Sequence, residues 1–152
     1  MNTENNILLL WEYDDDLIKM FSFFFQEHGL LINSVRSFEQ CFEVCRSEPP
    51  DLLIVRSFVN EPRDGLEFIR KIRLDSSISY FPIVVAWADV PRDHTGEGYQ
   101  EAFEAGANAY FGRVFDITDV KQEIELLLRD PMATGIMDRQ TKRFQDKVNR
   151  QG

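Results

Sequence analysis

The fold class expected from this sequence is α/β, a five-stranded parallel sheet with helices on both faces. Two patterns and one bound carry that expectation. Short apolar runs recur from the start to about Asp130, several of them continuous and branched, as in strands buried on both faces. Amphipathic segments of helical period lie between them, and regular alternation of strand and helix closes into a parallel sheet. The bound is size: 152 residues, 43% hydrophobic and 28% charged, suit one domain with a short extension.

The strands are expected at Ile7–Trp11, Leu30–Val35, Leu52–Val55, Ile83–Trp87 and Ala107–Phe111. Leu17, Met20, Phe21, Phe24 and Phe25 give the first helix its stripe. The Asp14-Asp15-Asp16 run suits the start of that helix, where carboxylates cap free N–H groups and offset the dipole, and this explains the run better than a metal cluster does. Phe23 falls off the stripe and is expected at the surface, whereas His28 reads as a residue of the helix C-terminus. The second helix carries Phe38, Cys41, Phe42 and Cys45 at i, i+3, i+4 and i+7. Phe68, Ile69 and Ile72 mark the third, Tyr99, Ala102 and Phe103 the fourth, and Val120, Ile124, Leu127 and Leu128 the fifth, with Asp116 as its N-cap. Gly96 and Gly98 weaken the fourth helix, so a late start behind a long loop from Ala88 is expected. Residues 1–130 are thus assigned to the domain, and 131–152 to a linker and a short polar C-terminal helix or tail. In that tail Met137, Thr141, Phe144 and Val148 form a thin apolar stripe, marginal as a helix unless it finds a docking surface.

Charge is unevenly placed. The net charge is −9, yet the segment after Asp130 holds five cations against two acids, +3, which leaves −12 for the rest. An acidic body repels phosphates, so nucleic acid is not an expected partner. Cys41 and Cys45 read as buried thiols packing as small apolar groups; His28 and His94 lie in unrelated segments, so no metal set forms around them. The start of the chain lacks a basic region, and Ile7 to Trp11 is too short for a signal or a span. A cytoplasmic protein without a membrane partner is expected.

The third run is the most informative. Pro50-Asp51 punctuates it, and Leu52–Val55 delivers Arg56 to the carboxyl edge of the sheet, where open α/β folds place their ligands. Together with Gly65-Leu66-Glu67-Phe68-Ile69, this run resembles the third strand and following helix of bacterial response-regulator receiver domains. The resemblance covers roughly residues 6 to 129 with one local insertion, and it implies the flavodoxin-like (βα)5 fold with strand order 2-1-3-4-5.

In that family the third strand ends on an aspartate that accepts a phosphoryl group from a histidine kinase; the matching residue here is Arg56. Two acids at the end of the first strand help hold Mg²⁺ in the family. Counting back from Gly29 aligns them with Glu12 and Tyr13, or with Trp11 and Glu12 in a register one residue earlier, so Glu12 is the one acid retained in either case. A phosphate-binding Thr or Ser becomes Trp87, and the Lys-Pro pair after the fifth strand becomes Arg113-Val114. Tyr110 matches the aromatic switch position and is expected on the interaction surface.

The resemblance therefore implies a pseudo-receiver: a degenerate pocket of Glu12, Tyr13, Arg56, Trp87 and Arg113, with neither cofactor nor metal, and no enzymatic activity. Its expected role is phosphorylation-independent protein–protein interaction in two-component or chemosensory signal transduction. Partners would be a histidine kinase or a downstream effector, or a second copy, through the fourth helix, fifth strand and fifth helix. Only the short extension follows the fifth helix, so output is expected to pass through a partner. Two alternatives stay open: an anion or small-molecule sensor built on Arg56 and Arg113, and a regulator phosphorylated at a non-standard site such as Asp64 in the loop before the third helix. Against the first, no Gly-rich phosphate loop follows any strand.

Overall fold

The computed structural model describes residues 5–10, 15–56, 62–88, 97–112 and 117–132. Ten elements alternate: β1 (Asn5–Leu10), α1 (Asp15–Gln26), β2 (Leu30–Val35), α2 (Phe38–Ser47), β3 (Leu52–Arg56), α3 (Pro62–Leu74), β4 (Ile83–Ala88), α4 (Glu97–Ala105), β5 (Ala109–Gly112) and α5 (Ile117–Arg129). The strands form one parallel sheet in the order β2-β1-β3-β4-β5, the flavodoxin-like order expected. With right-handed crossovers, the leftward step from β1 to β2 sets α1 on one face, and the rightward steps set α2, α3 and α4 on the other.

The central strands are apolar because both of their faces are covered. Ile7 to Leu10, Leu52 to Val55 and Ile83 to Val85 are all buried, and they form the middle of one core cluster with Phe25, Ile69, Ile72, Ile124 and Leu127. β1 starts two residues before the expected Ile7, because Asn5 and Asn6 pair with Leu30 and Leu31. Asn6 is held further by Asp51, whose carboxylate accepts from Asn6 N at 2.7 Å while its own N–H donates to Asn6 O at 2.9 Å. Trp11, expected to end β1, lies outside the described residues.

Ser37 caps α2, its hydroxyl accepting from Gln40 N at 3.1 Å. The helix buries Cys41 and Cys45 and leaves Phe38 and Phe42 half-buried, so the expected four-residue stripe divides: thiols toward the sheet, rings toward α3. Phe38 stacks on Phe68 there, with centroids 4.9 Å apart. A hydrogen bond with Cys45, together with burial, raises the pKa of the Cys41 thiol, keeping it neutral.

Three other expectations are adjusted. α3 begins at Pro62, a residue suited to the first helical position, so Asp64 sits in the first turn of α3 and not in a preceding loop. α4 begins at Glu97, which places Gly98 inside its first turn. It buries the small Ala102 and Ala105, and the expected stripe residue Phe103 is 46% exposed. β5 starts at Ala109, two residues after the expected Ala107. The delay has a local cause: Gly106 takes φ +117°, and Ala107 N donates back to Ala102 O at 2.9 Å, closing α4 with a reversed turn before the strand can begin. His28, expected at the helix C-terminus, lies in the turn just after α1 with its ring edge-on to Phe24, and Phe23 is 69% exposed.

Candidate functional site at the carboxyl edge

Sheet register defines the site. Leu10, Val55, Val85 and Tyr110 form one row across β1, β3, β4 and β5. The next row opens with Arg56, the last residue of β3, in register with Ala86 of β4. Beyond this row β4 and β5 fall out of step. β4 advances three residues from Val85 to Ala88 while β5 advances two from Tyr110 to Gly112, so Ala86 and Trp87 lie in a bulged segment. Bulges of this kind re-aim strand ends beside functional sites.

Of the residues expected to form the degenerate pocket, the fold brings the backbones of Arg56 and Trp87 together on adjacent strands at the carboxyl edge. Glu12, Tyr13 and Arg113 lie outside the described residues, as do the side chains of Arg56 and Trp87. Tyr110, expected on the interaction surface, is only 5% exposed and belongs to the core cluster. Its place in the row beside Val85 turns it toward a covered face of the sheet, so in this arrangement it packs inward. Among the described residues no group of acids, histidines or cysteines could hold a metal ion, and no helix is long and apolar enough to cross a membrane.

The opposite edge holds a polar hub that sequence reasoning missed. Arg73 at the end of α3 donates to Phe81 O (2.6 Å), Gly106 O (3.0 Å) and Asn108 Oδ1 (2.9 Å), and its guanidinium lies over the Tyr80 ring, 4.5 Å from the centroid. Asn108, 3% exposed, uses all four of its side-chain positions. Oδ1 accepts from Arg73 and from Ile83 N at 2.9 Å, while Nδ2 donates to Tyr80 Oη at 2.9 Å and Pro131 O at 3.2 Å. Tyr80 Oη also donates to Pro131 O at 2.9 Å. Burial lowers the pKa of Arg73, partly offset by Tyr80; carbonyl oxygens and an amide satisfy the cation without a carboxylate in the hub. The contributing segments are far apart in sequence, so no local pattern announces the hub.

No protein-family model matches the chain, and no curated protein sequence matches it. Solved structures do. The BeF3-activated N-terminal receiver domain of RstA from Klebsiella pneumoniae aligns at 21% identity over 83% of this chain and 100% of that one, with a TM-score of 0.69. A response regulator from Thermotoga maritima aligns at 17% over 84% and 100%, TM-score 0.70. The receiver domain of a sensor histidine kinase from Pseudomonas aeruginosa, which has a magnesium ion coordinated in its active-site cleft, aligns at 17% over 84% and 100%, TM-score 0.67. At these identities the common property is the fold: this chain has the architecture of receiver domains.

Proposed function

We propose that this chain is a receiver-type signalling module that works by protein–protein contact, without phosphorylation and without catalysis. One observation carries the reading: the residue at the carboxyl end of β3, in register with Ala86 at the β4 bulge, is Arg56. Arginine offers no carboxylate to acylate. In this proposal Arg56 supplies Glu12 with the counter-charge that a metal would supply, as a bidentate ion pair, and Trp87 and Arg113 complete a closed pocket that holds the module in one state. Output passes through the α4–β5–α5 face to a kinase or effector protein in two-component or chemosensory signalling. The 46% exposed Phe103 on α4 supports that face as a contact surface.

The test is direct. Incubation with acetyl phosphate and Mg²⁺ is expected to add no base-labile phosphate, and beryllofluoride to leave Trp11 and Trp87 fluorescence unchanged. Arg56→Asp alone is expected to stay unlabelled. It restores one carboxylate beside Glu12 but no second metal-holding acid, and repulsion raises at least one of the two pKa values. Saturable, Mg²⁺-dependent quenching of the wild-type protein, or efficient labelling of Arg56→Asp, refutes the closed pocket.

A further inference from the structure

The face of the domain formed by α2 and α3 has no assigned role, and it carries a groove of about 540 Å³ that runs down between the two helices. Phe38 and Phe42 supply its wall from α2. α3 supplies Glu67, Arg70, Lys71 and Leu74, spaced i, i+3, i+4 and i+7 and therefore on one face. Leu74, at the lower end, is 84% exposed. Lys71 Nζ sits 4.4 Å from the centroid of the half-buried Phe42 ring. Four acids, Glu39, Glu43, Glu67 and Asp75, outnumber Arg70 and Lys71 along the groove together with Arg46, whose guanidinium lies 5.8 Å from the centroid of the Phe42 ring. The surface is thus partly apolar and net acidic.

The chain leaves the domain beside the Arg73 hub at the C-terminal end of α3, the end of the helix at which Leu74 lies. Pro131 O is bonded to Tyr80 Oη, and the Tyr80 ring lies under Arg73, the residue next to Leu74. Beyond Pro131 the sequence carries the stripe of Met137, Thr141, Phe144 and Val148, flanked by five cations against two acids. Five residues separate Pro131 from Met137, six steps along the chain with a reach of roughly 20 Å if extended. We propose that residues 137–148 of this chain dock as an amphipathic helix in the α2–α3 groove. Phe144 is the central apolar anchor, and the basic flanks face the groove acids. Charge complementarity and the position of the exit point select the chain's own tail as the occupant. This assignment is independent of the chemistry at Arg56.

Paramagnetic relaxation in the full-length protein tests it. Cys41 and Cys45 are 0% exposed, so a nitroxide reagent applied to Gln151→Cys labels the introduced thiol. Amides along Phe38–Arg46 and Glu67–Leu74 are expected to lose most of their intensity while those of α1 keep theirs, and added salt is expected to weaken the effect. Phe144→Asp is expected to restore the groove signals with the core spectrum unchanged. The proposal is overturned if the groove amides are unaffected by the label. It is equally overturned if Phe144→Asp leaves the broadening in place, or if broadening arises only between labelled and isotope-enriched copies, which would make a second molecule the occupant.

Discussion

Asn108→Ala provides the sharpest test of the hub. The substitution removes four hydrogen bonds at a residue that is 3% exposed. Two of the four partners recover. Tyr80 Oη and Pro131 O remain bonded to each other at 2.9 Å and lie at exposed residues within reach of water. The other two do not. Ile83 N belongs to a fully buried residue, and an unsatisfied buried N–H costs about 1–3 kcal/mol. The bond from the Arg73 cation contributes about 1.5–3 kcal/mol. The expected loss is therefore about 3–5 kcal/mol, with the upper end discounted because Arg73 is only part-buried. With a urea m-value of about 2 kcal/mol/M, the unfolding midpoint falls by about 2 M at unchanged slope. Asn108→Asp keeps both acceptor bonds and gains an ion pair with Arg73, while losing two donors at the exposed end; its loss is expected to be less than half as large. A midpoint for Asn108→Ala within about 0.3 M of wild type would refute the hub as a folding element.

Three further outcomes are expected. Gly106→Ala should destabilise by more than about 1 kcal/mol in the same assay, since φ is +117° and the added Cβ would come 2.6 Å from Arg73 Cγ. Ser37→Ala should cost about 1 kcal/mol through loss of the α2 cap, read as a midpoint shift with increased amide exchange in the first turn. Asp75 accepts from the Ser77 hydroxyl and from Ser77 N, and these bonds hold its carboxyl below the usual carboxylate range. A depressed carboxylate contributes stability that is present above its unfolded pKa and lost as pH falls through its folded one. Carbon-detected titration should therefore place Asp75 below an ordinary aspartate, and Ser77→Ala should move it upward; an unchanged value would show that Ser77 is not the cause.

Legibility of the fold in the sequence varies with the range of the interaction. β2 has the bounds predicted for it, although as an edge strand it buries only its two end residues, and β3, apolar and buried from Leu52 to Val55, differs only by including Arg56. The end of β1 nearest Asp51 and the start of β5 escape hydropathy, since there the chain uses side chains or a turn instead of apolarity. Asn5 and Asn6 extend a strand that hydropathy ends at Ile7, and Ala107 is spent on closing α4. The stripe of α4 misleads because two alanines, and not Phe103, meet the core. At the carboxyl edge, the placement of Arg56 and Trp87 on neighbouring strands follows from strand order alone. The bulge at Ala86 and Trp87 does not, since an extra residue in one strand is visible only against its partner. Tyr110 matches by strand position, which says nothing about the direction its ring takes.

Arg73 and Asn108 fasten α3, the entry to β4, the entry to β5 and the exit from α5 at the edge of the sheet remote from Arg56. The polar work of holding the architecture together is thereby separated in space from the edge at which receiver folds carry out chemistry. Substitutions at the edge that carries Arg56 therefore leave every bond of this hub in place.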